Sequence, residues 1–299
     1  MATRLPGWLR QHLAAVRALL VLTVLVGLAY PLVVTGIAQI PGLKSKADGS
    51  IVTADGRDVG SSRIGQAFTD DKGDAIPKYF QSRPSAAGDG YDPTATSASN
   101  LGPESIVDVP DDPATAEDDS KPSLLTQVCA RSLAVGKLEG VDGARPYCTP
   151  GGVGAVLAVF HAGPGYAGGV TRVVSVNEYC DSTPTPFLTT YQGVAVECHR
   201  PGEDLSRGQV VPIRGDAPAN PAVPADAVTA SGSGLDPDIS PGYANLQAPR
   251  VAKIRNVPVD RVRQLIRDHT EERALGFLGE PGVNVLQLNM DLDRTAPVT

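Results

Sequence analysis

The most prominent hydrophobic pattern in the chain is one uninterrupted apolar run near its N-terminus. Ala18–Leu43 contains no charged side chain and stands between Arg17 and Lys44. A helix of this length would reach about 39 Å at about 1.5 Å per residue, which is enough to cross a hydrocarbon core of about 30 Å. The pattern therefore predicts a single transmembrane helix over residues 18–43.

The charges around this run favour one orientation by a small margin. Three basic residues precede the run and two follow it, and the positive-inside rule counts Lys and Arg. We therefore expect residues 1–17 to be a cytoplasmic N-terminus and the main domain to be extracytoplasmic. The alternative is a cleaved signal peptide with its cleavage site at Gly36–Ala38, although the apolar region would then normally be shorter, about 7–15 residues. The five basic residues are Arg4, Arg10, Arg17, Lys44 and Lys46.

Three residues inside the run are candidates for contact with a partner subunit. Gly27 and Gly36 allow close packing of helix backbones, and Pro31 can mark a kink. The alternative is an ordinary lipid-facing helix in which the proline is tolerated.

Beyond the run, short apolar stretches alternate with turn residues. The segment 49–65 predicts two strands around the turn dipeptide Asp55–Gly56. Residues 66–103 are rich in Gly, Pro, Ser, Asn and Asp but contain four aromatic residues, so we expect an irregular, ordered loop. Residues 104–121 carry seven acids and two prolines, which predicts a solvated, mobile connector.

Both helical and strand periodicities occur in the remainder of the chain. A helix is expected over Ser123–Gly136, with the serine as N-cap and the glycine as its stop. Ser240–Pro241 and Pro258 are expected to start two further helices. Val283–Leu292 alternates well enough to predict a last strand, with a helix as the alternative. Three more strands are predicted at Val153–Phe160, Val170–Asn177 and Gly193–His199.

All four cysteines follow the apolar run, and an even number in one region is typical of an oxidising compartment. The sequence allows three pairings. Pairing neighbours along the chain would close two loops of about 18–20 residues, worth about 3 kcal/mol each. Zinc is the rival, but no two cysteines have the C-x₂₋₄-C spacing. The cysteines are Cys129, Cys148, Cys180 and Cys198.

The predicted fold class is an α+β extracytoplasmic domain on a single N-terminal transmembrane helix, with a small α+β disulfide-containing insert module. We assign the insert to residues 108–221 and the surrounding domain to residues 44–107 and 222–299. Beyond residue 46 the chain has 21 basic and 33 acidic residues, a balance of −12. Nucleic acid is therefore not expected as a partner, because phosphate binding needs a cationic face.

No motif for a self-sufficient active site is present. The phosphate loop G-x-x-x-x-G-K-[ST] is absent, and Ala230–Asp236 lacks the G-x-S-x-G spacing of a serine hydrolase. His269 is expected to pack in the core. Asp89 and Asp92 are expected in turns, with a cation site as the rarer alternative, and residues 231–234 are a weak candidate for a phosphate nest. We expect no catalytic residue and no metal, and we assign no residue to cofactor binding.

Six long motifs occur in both halves of the chain. They are YPLVVTGIAQ (Tyr30–Gln39), GSSRIGQAF (Gly60–Phe68), FQSRPSAAGDGYDPTATSASNLGP (Phe80–Pro103), VTASGSGLDPDISP (Val228–Pro241), RVAKIR (Arg250–Arg255) and HTEERALGFLGEPGVNVLQLNMDLD (His269–Asp293). Together these motifs resemble the KdpC family, the C subunits of Kdp-type potassium-transporting ATPases. The cysteine-bearing insert, which looks actinobacterial, departs from the family pattern.

The resemblance implies a membrane complex that takes up potassium with high affinity at the cost of ATP. Its partners would be the potassium-translocating subunit KdpA, the ATP-hydrolysing P-type subunit KdpB and the short subunit KdpF, which handle potassium and ATP. The C subunit would not be an enzyme on its own; it would aid assembly and act as a catalytic chaperone that raises the ATP affinity of KdpB. Since ATP is cytoplasmic, we expect indirect action, with the helix packed on the other subunits and the domain capping the potassium entrance. The alternative function is a membrane-tethered extracellular binding module with no transport role.

Overall fold

The computed structural model describes residues 6–111 and 120–298. Contacts divide the chain into two compact units, Met1–Arg63 and Ile64–Thr299. Three sequence predictions fall in part on residues outside the described ones: Arg4 in the orientation count, 112–119 in the acidic connector, and Thr299 at the end of the last domain segment.

The first unit begins with the predicted apolar helix, which is confirmed with different bounds. Helix α1 (Gly7–Val24), a π-helical turn (Leu25–Ala29) and helix α2 (Tyr30–Ala38) follow one another without a break. Together they form one helix, Gly7–Ala38, hereafter the apolar helix, which is long and apolar enough to cross a membrane. It starts before the apolar run because the preceding Leu, Gln, Arg and Ala residues are good helix formers. It ends before Leu43 because a proline at position 41 disfavours helical geometry in the residue before it.

A one-turn helix and a hairpin complete the first unit. Helix α3 (Lys44–Ala47) leads into strands β1 (Ile51–Ala54) and β2 (Arg57–Ser61), which pair antiparallel. Asp55 and Gly56 both have positive φ, 51° and 75°, as a two-residue turn matching the twist of the strands requires. The predicted hairpin is confirmed.

The second unit is α+β and opens with the ordered irregular segment that the aromatic residues predict. Helix α4 follows and is succeeded by a five-stranded sheet of order β5-β6-β4-β3-β7, in which β4 and β6 are parallel and the other neighbours antiparallel. All three predicted strands lie in this sheet. The bounds are α4 (Leu124–Glu139), β3 (Val156–His161), β4 (Val170–Tyr179), β5 (Thr190–Tyr191), β6 (Val194–His199) and β7 (Gln209–Pro212).

The C-terminal part of the second unit consists of three helices and a small sheet. The two predicted helix starts are confirmed, and the hydroxyl of Ser240 accepts a hydrogen bond from the Tyr243 N–H as an N-cap should. The small sheet has the antiparallel order β8-β10-β9. The bounds are β8 (Asp238–Ile239), α5 (Pro241–Ile254), α6 (Val259–Asp268), β9 (Thr270–Glu271), β10 (Gly282–Asn284) and α7 (Val285–Thr295).

Two element boundaries differ from the predictions. Helix α4 runs past Gly136 to Glu139 and ends at Gly140, which has a φ of 69°. A Cβ on Gly136 would lie 2.7 Å from the Gly143 backbone, so this glycine allows a close approach and does not stop the helix. The last predicted strand is only Gly282–Asn284; Asn284 then caps helix α7 by accepting from the Gln287 N–H.

The prediction that residues 104–121 form a solvated, mobile connector is wrong at Asp108, which lies in the described part of that segment. Asp108 is buried, and its carboxylate accepts hydrogen bonds from the Ser123 N–H at 2.7 Å and the Thr126 hydroxyl at 2.9 Å. A carboxylate at this end of a helix is stabilised by the unpaired N–H groups and the helix dipole. Asp108 therefore fixes the start of α4.

Candidate functional site

The first candidate site is the surface of the apolar helix around Gly27, Pro31 and Gly36. No residue of α1, the π-helical turn or α2 is buried. Modelling a Cβ onto Gly36 meets no atom within 4 Å, and onto Gly27 only a Thr23 methyl at 3.9 Å. Both glycines thus leave backbone accessible at the helix surface, which is the geometry that lets another helix approach closely.

Pro31 accounts for the π-helical turn directly before it. Proline has no N–H to donate to the carbonyl four residues earlier, and its ring clashes with that carbonyl in a regular helix. The turn Leu25–Ala29 is widened, and the Tyr30 N–H bonds to the Leu25 carbonyl five residues back. The sequence predicts a kink at this position, and the structure places there a π turn, a feature frequently found at functional sites.

The three residues do not share one face of the helix. In a regular helix of 3.6 residues per turn, Gly27 and Pro31 are about one turn apart and lie on the same side. Gly36 lies about two and a half turns beyond Gly27 and points away from it, and the widened turn removes only part of that rotation. The apolar helix therefore presents two separate small-residue points.

All four cysteines are paired in the second unit. Cys129 is bonded to Cys148 and Cys180 to Cys198, so none is left to bind zinc. No cluster of His, Cys, Asp and Glu side chains that could hold a metal occurs among residues 6–111 and 120–298. The first disulfide joins α4 to the segment before β3, and the second joins the end of β4 to β6.

A groove of about 840 Å³ lies between the irregular segment and helix α4. Arg83 crosses it, donating to Asp236 at 2.8 Å, while its buried Nε has no partner within the described part of the chain. Burial raises the pKa of Tyr91 to about 12 and lowers the pKa of Arg131, so the phenol stays neutral at pH 7. The groove presents apolar walls and guanidinium donors, and Asp74, Asp89 and Lys137 also line it.

The candidates for catalysis and cation binding have structural roles. The Ser231 hydroxyl accepts from the Gly234 N–H within its own turn. Asp92 is in a turn as well: it is partly exposed and accepts from the Thr94 hydroxyl and N–H, which lowers its pKa. The ring nitrogens of the four histidines contact backbone carbonyls, a glutamine and an aspartate. No histidine in the described ranges is placed as the base for a hydroxyl or thiol.

His269 is only partly buried and is not the packed core residue that the sequence predicts. Its Nε2 lies 3.2 Å from Asp291 Oδ2, which links the end of α6 to α7. The pKa of Asp291 is raised by burial but lowered more strongly by hydrogen bonds from His269 and Arg294. The polar residues of α7 gave no local sign of this pair, since the partner is set by how two helices pack.

Sequence reasoning also missed an exposed apolar loop between β9 and β10. The string LGFLGEP predicts a turn, which is confirmed, but three of its apolar side chains are exposed: Leu275 by 83 %, Phe277 by 69 % and Leu278 by 51 %. The signal was present, because turns are normally polar and this one holds three large apolar residues.

Comparison with known proteins identifies the family. A sequence model described as "KdpC: K+-transporting ATPase, c chain" matches residues 12–110 and 207–294. A protein of Mycobacterium tuberculosis named "Potassium-transporting ATPase KdpC subunit" is 36% identical over 285 residues, 95% of this chain and 98% of the relative.

Relatives with the same name from other organisms have similar sequence identity to this chain. The protein of Kineococcus radiotolerans is 35% identical over 297 residues, 99% of this chain and 100% of the relative. That of Koribacter versatilis is 32% identical over 280 residues, 93% of this chain and 91% of the relative. Because these matches run nearly end to end, they include most of residues 111–206, which the family model leaves unmatched. The chain belongs to the KdpC family, the C subunits of potassium-transporting ATPases.

Proposed function

We propose that this chain is a non-catalytic accessory subunit that the apolar helix holds beside the membrane subunits of an ATP-driven, high-affinity potassium uptake complex. The observation that carries the proposal is a 32-residue apolar helix without buried residues in a chain of this family. A helix with no partner in its own chain needs either lipid or other subunits around it. The proposed partners are KdpA, KdpB and KdpF.

Gly27, Pro31 and Gly36 are the proposed subunit contacts. The two glycines expose backbone, and the π-helical turn before Pro31 widens the helix between them. Since Gly27 and Gly36 point in different directions, we propose that they meet two different neighbours. A helix wedged between two subunits would serve assembly better than one that touches a single subunit.

The folded domain is proposed to be extracytoplasmic. Two disulfides support this side, because such bonds persist in oxidising compartments. The charge count of three basic residues before the run and two after it supports the same orientation. On intact cells treated with a reductant, a membrane-impermeant thiol reagent should label the cysteines; labelling only after lysis would contradict this orientation.

Residues 108–221 are proposed to be an insertion into the KdpC domain. The family model matches the chain in two segments and leaves 111–206 between them. The insertion is not a loosely attached module, because Val128, Val135 and Val141 pack against the same core as helices α5 to α7. We propose that it extends the outer domain without replacing any of its contacts.

The effect on ATP is proposed to be indirect. KdpB would bind ATP in the cytoplasm, and this chain would raise the ATP affinity by favouring one arrangement of the membrane subunits, with its domain over the potassium entrance. A ligand or subunit shifts such an equilibrium only through its different affinity for the two states. Complex containing this chain should therefore show a lower KM for ATP than complex lacking it.

Association from detergent-solubilised membranes tests the subunit role. Wild-type chain should bring down a P-type ATPase, and Gly27→Leu and Gly36→Leu should each reduce recovery while membrane insertion is unchanged. Val33→Leu, a change at an exposed apolar position of the same helix, is the control and should assemble normally. Normal assembly of both glycine variants would reduce the helix to a tether, and a wild-type chain that brings down no ATPase would favour the binding-module alternative.

A further inference from the structure

The loop between β9 and β10 projects from the second unit as a short, well-ordered hairpin. Its base is the pairing of Thr270–Glu271 with Gly282–Val283, and Val283 is fully buried in the main core. Ala274 and Leu278 exchange backbone hydrogen bonds of 2.9 Å in both directions. We call residues 272–280 the Phe277 loop.

The tip of the Phe277 loop combines two unfavourable features. Leu275, Phe277 and Leu278 are largely exposed to water, although burial of such side chains is worth about 1.5–3 kcal/mol each. Leu275 also has a φ of 55°, a left-handed conformation that costs a non-glycine residue about 1 kcal/mol. The structure holds three apolar side chains outward, and no residue of the second unit within 64–111 and 120–298 covers them.

Such an arrangement reduces the cost of binding. A loop already held in one conformation loses little entropy when it docks, so more of the burial free energy appears as affinity. The Gly276 N–H bonds to the Arg273 carbonyl at 3.0 Å, and the Arg273 guanidinium pairs with Glu280 across the base of the loop. These contacts fix the loop without using its apolar side chains.

The charges around the tip distinguish between possible occupants. Glu271, Glu272 and Glu280 surround the loop, against a single cation, Arg273, which is paired with Glu280. An anionic lipid surface would repel this acidic rim. An apolar recess edged by Lys or Arg on a protein would attract it.

We propose that the Phe277 loop inserts into an apolar recess with a basic rim on another subunit of the potassium-transporting ATPase. The proposal rests on the proposed function and adds a contact outside the membrane helix. The loop lies within residues 207–294, which the KdpC family model matches. We therefore expect its partner to be a subunit of the complex common to the family, and not a partner specific to the insertion.

The test measures association of the full-length chain with the remaining subunits in mild detergent. Phe277→Ser should weaken association by about tenfold or more, because it removes a buried aromatic side chain. Tyr166→Ser is the matched control, since Tyr166 is an aromatic residue, 51 % exposed, at a hairpin tip of the insertion. Its effect should stay within about twofold.

Leu275→Gly separates binding from folding. Glycine adopts the left-handed conformation without strain, so the variant should unfold at or near the wild-type temperature while its association falls. Glu272→Lys should also weaken association, and the difference from wild type should shrink as salt is raised. If wild-type chain associates and Phe277→Ser, Leu275→Gly and Glu272→Lys all do so equally well, the loop proposal is wrong while the proposed function stands. Failure of the wild-type chain to associate would instead overturn the proposed function.

A lipid occupant gives a different result. In a Trp8→Phe background the chain has no other tryptophan, so Phe277→Trp reports on the loop alone. In membranes containing brominated lipid, the fluorescence should be unquenched when the loop is inside a protein recess. Strong quenching in the assembled complex would place the loop in the bilayer and overturn the proposal.

Discussion

Two of the three apolar cores of the second unit are held together in different ways. The helical core gathers helices α5 to α7 around Phe80, Val251 and Leu288, and no disulfide lies within it. The sheet core, formed by buried side chains of β3, β4 and β6, is small; one disulfide ties Cys180, directly after β4, to Cys198 of β6, and the other ties α4 to the segment before β3. The sheet-core residues are Leu157, Val159, Val173 and Val196.

The difference follows from how much apolar surface each core buries. A small core leaves little free energy to offset chain entropy, and two cross-links that close short loops lower the entropy of the unfolded chain. The helical core is larger and depends instead on buried side-chain amides that bind an irregular segment. Both disulfides thus lie in residues 111–206, which the family model leaves unmatched, and the matched segments contain none.

The ion pair that joins α4, in the segment that the family model leaves unmatched, to α5 of the helical core should show the largest effect. Glu139 of α4 lies 3.0 Å from Arg250 of α5, with side chains 0 % and 8 % exposed. Burial raises the pKa of Glu139, and the nearby guanidinium offsets this only in part. Glu139→Gln leaves the Arg250 charge buried without its counter-ion and should cost about 3–5 kcal/mol of unfolding free energy.

Urea unfolding of the full chain in detergent, followed by circular dichroism, measures this cost. Tryptophan fluorescence is unsuitable, because the single tryptophan lies in the apolar helix. Asp260→Asn is the matched control: it breaks an exposed pair with Arg263 and should cost less than about 1 kcal/mol. Equal losses of unfolding free energy for the two variants would show that α4 and α5 are not joined through this pair.

Removing either disulfide should have the next largest effect. Cys129→Ser/Cys148→Ser and Cys180→Ser/Cys198→Ser each open a loop of nearly equal length, with sequence separations of 19 and 18. Loop entropy therefore predicts nearly equal losses of about 3 kcal/mol. The losses should appear as a lower midpoint in thermal melts followed by circular dichroism, compared with the oxidised wild type. If the midpoint falls for only one of the two double variants, only that disulfide stabilises the folded chain.

The sequence predicted elements well where the signal was local. Alternation marked the three central strands, Ser123 and Ser240 marked helix starts, and Asp55–Gly56 marked a turn, because each signal is complete within a few residues. It failed where a segment outside the element decides. Gly136 is required by the Gly143 backbone, which the following turn brings close. Val283–Leu292 is a different case, because its strand-like alternation competed with a local helix signal, the Asn284 cap, and the cap prevailed.

The candidate site shows the same limit. Gly27, Pro31 and Gly36 could be found because small residues and proline stand out in an apolar run. The structural contacts of Arg250 and Asn289 could not be predicted, since their partners are more than a hundred residues away along the chain. The Phe277 loop was visible as apolar residues in a turn, but exposure depends on the whole fold.

The amide contacts of the helical core should have a smaller effect than the disulfides. Asn289 accepts from the Phe80 N–H at 2.8 Å and donates to the Phe80 carbonyl at 2.9 Å, and all of these groups are buried. Asn289→Ala leaves both backbone groups unpaired and should cost about 2 kcal/mol. Asn245→Ala, which removes an exposed amide on α5, is the control. Hydrogen exchange should show the Phe80 amide losing protection in Asn289→Ala only. Unchanged protection in that variant would contradict the proposed role of Asn289 in holding Phe80.

The smallest effect is expected at the surface of the helical core, where it can be separated by pH. The pKa of Asp291 is lowered in the folded chain, so its contribution to stability is present above the ordinary aspartate pKa of about 3.9 and is lost as the pH falls through the folded-state value. Asp291→Asn should therefore lower stability by less than about 1 kcal/mol at pH 7, and the difference from wild type should disappear in acid. Neither the disulfides nor the hydrogen bonds between Asn289 and Phe80 titrate in this range. The difference in stability between each of their variants and wild type should therefore not change with pH. If the stability difference between Asp291→Asn and wild type also stays constant with pH, His269 and Arg294 hold this side chain by packing, with no contribution from its charge.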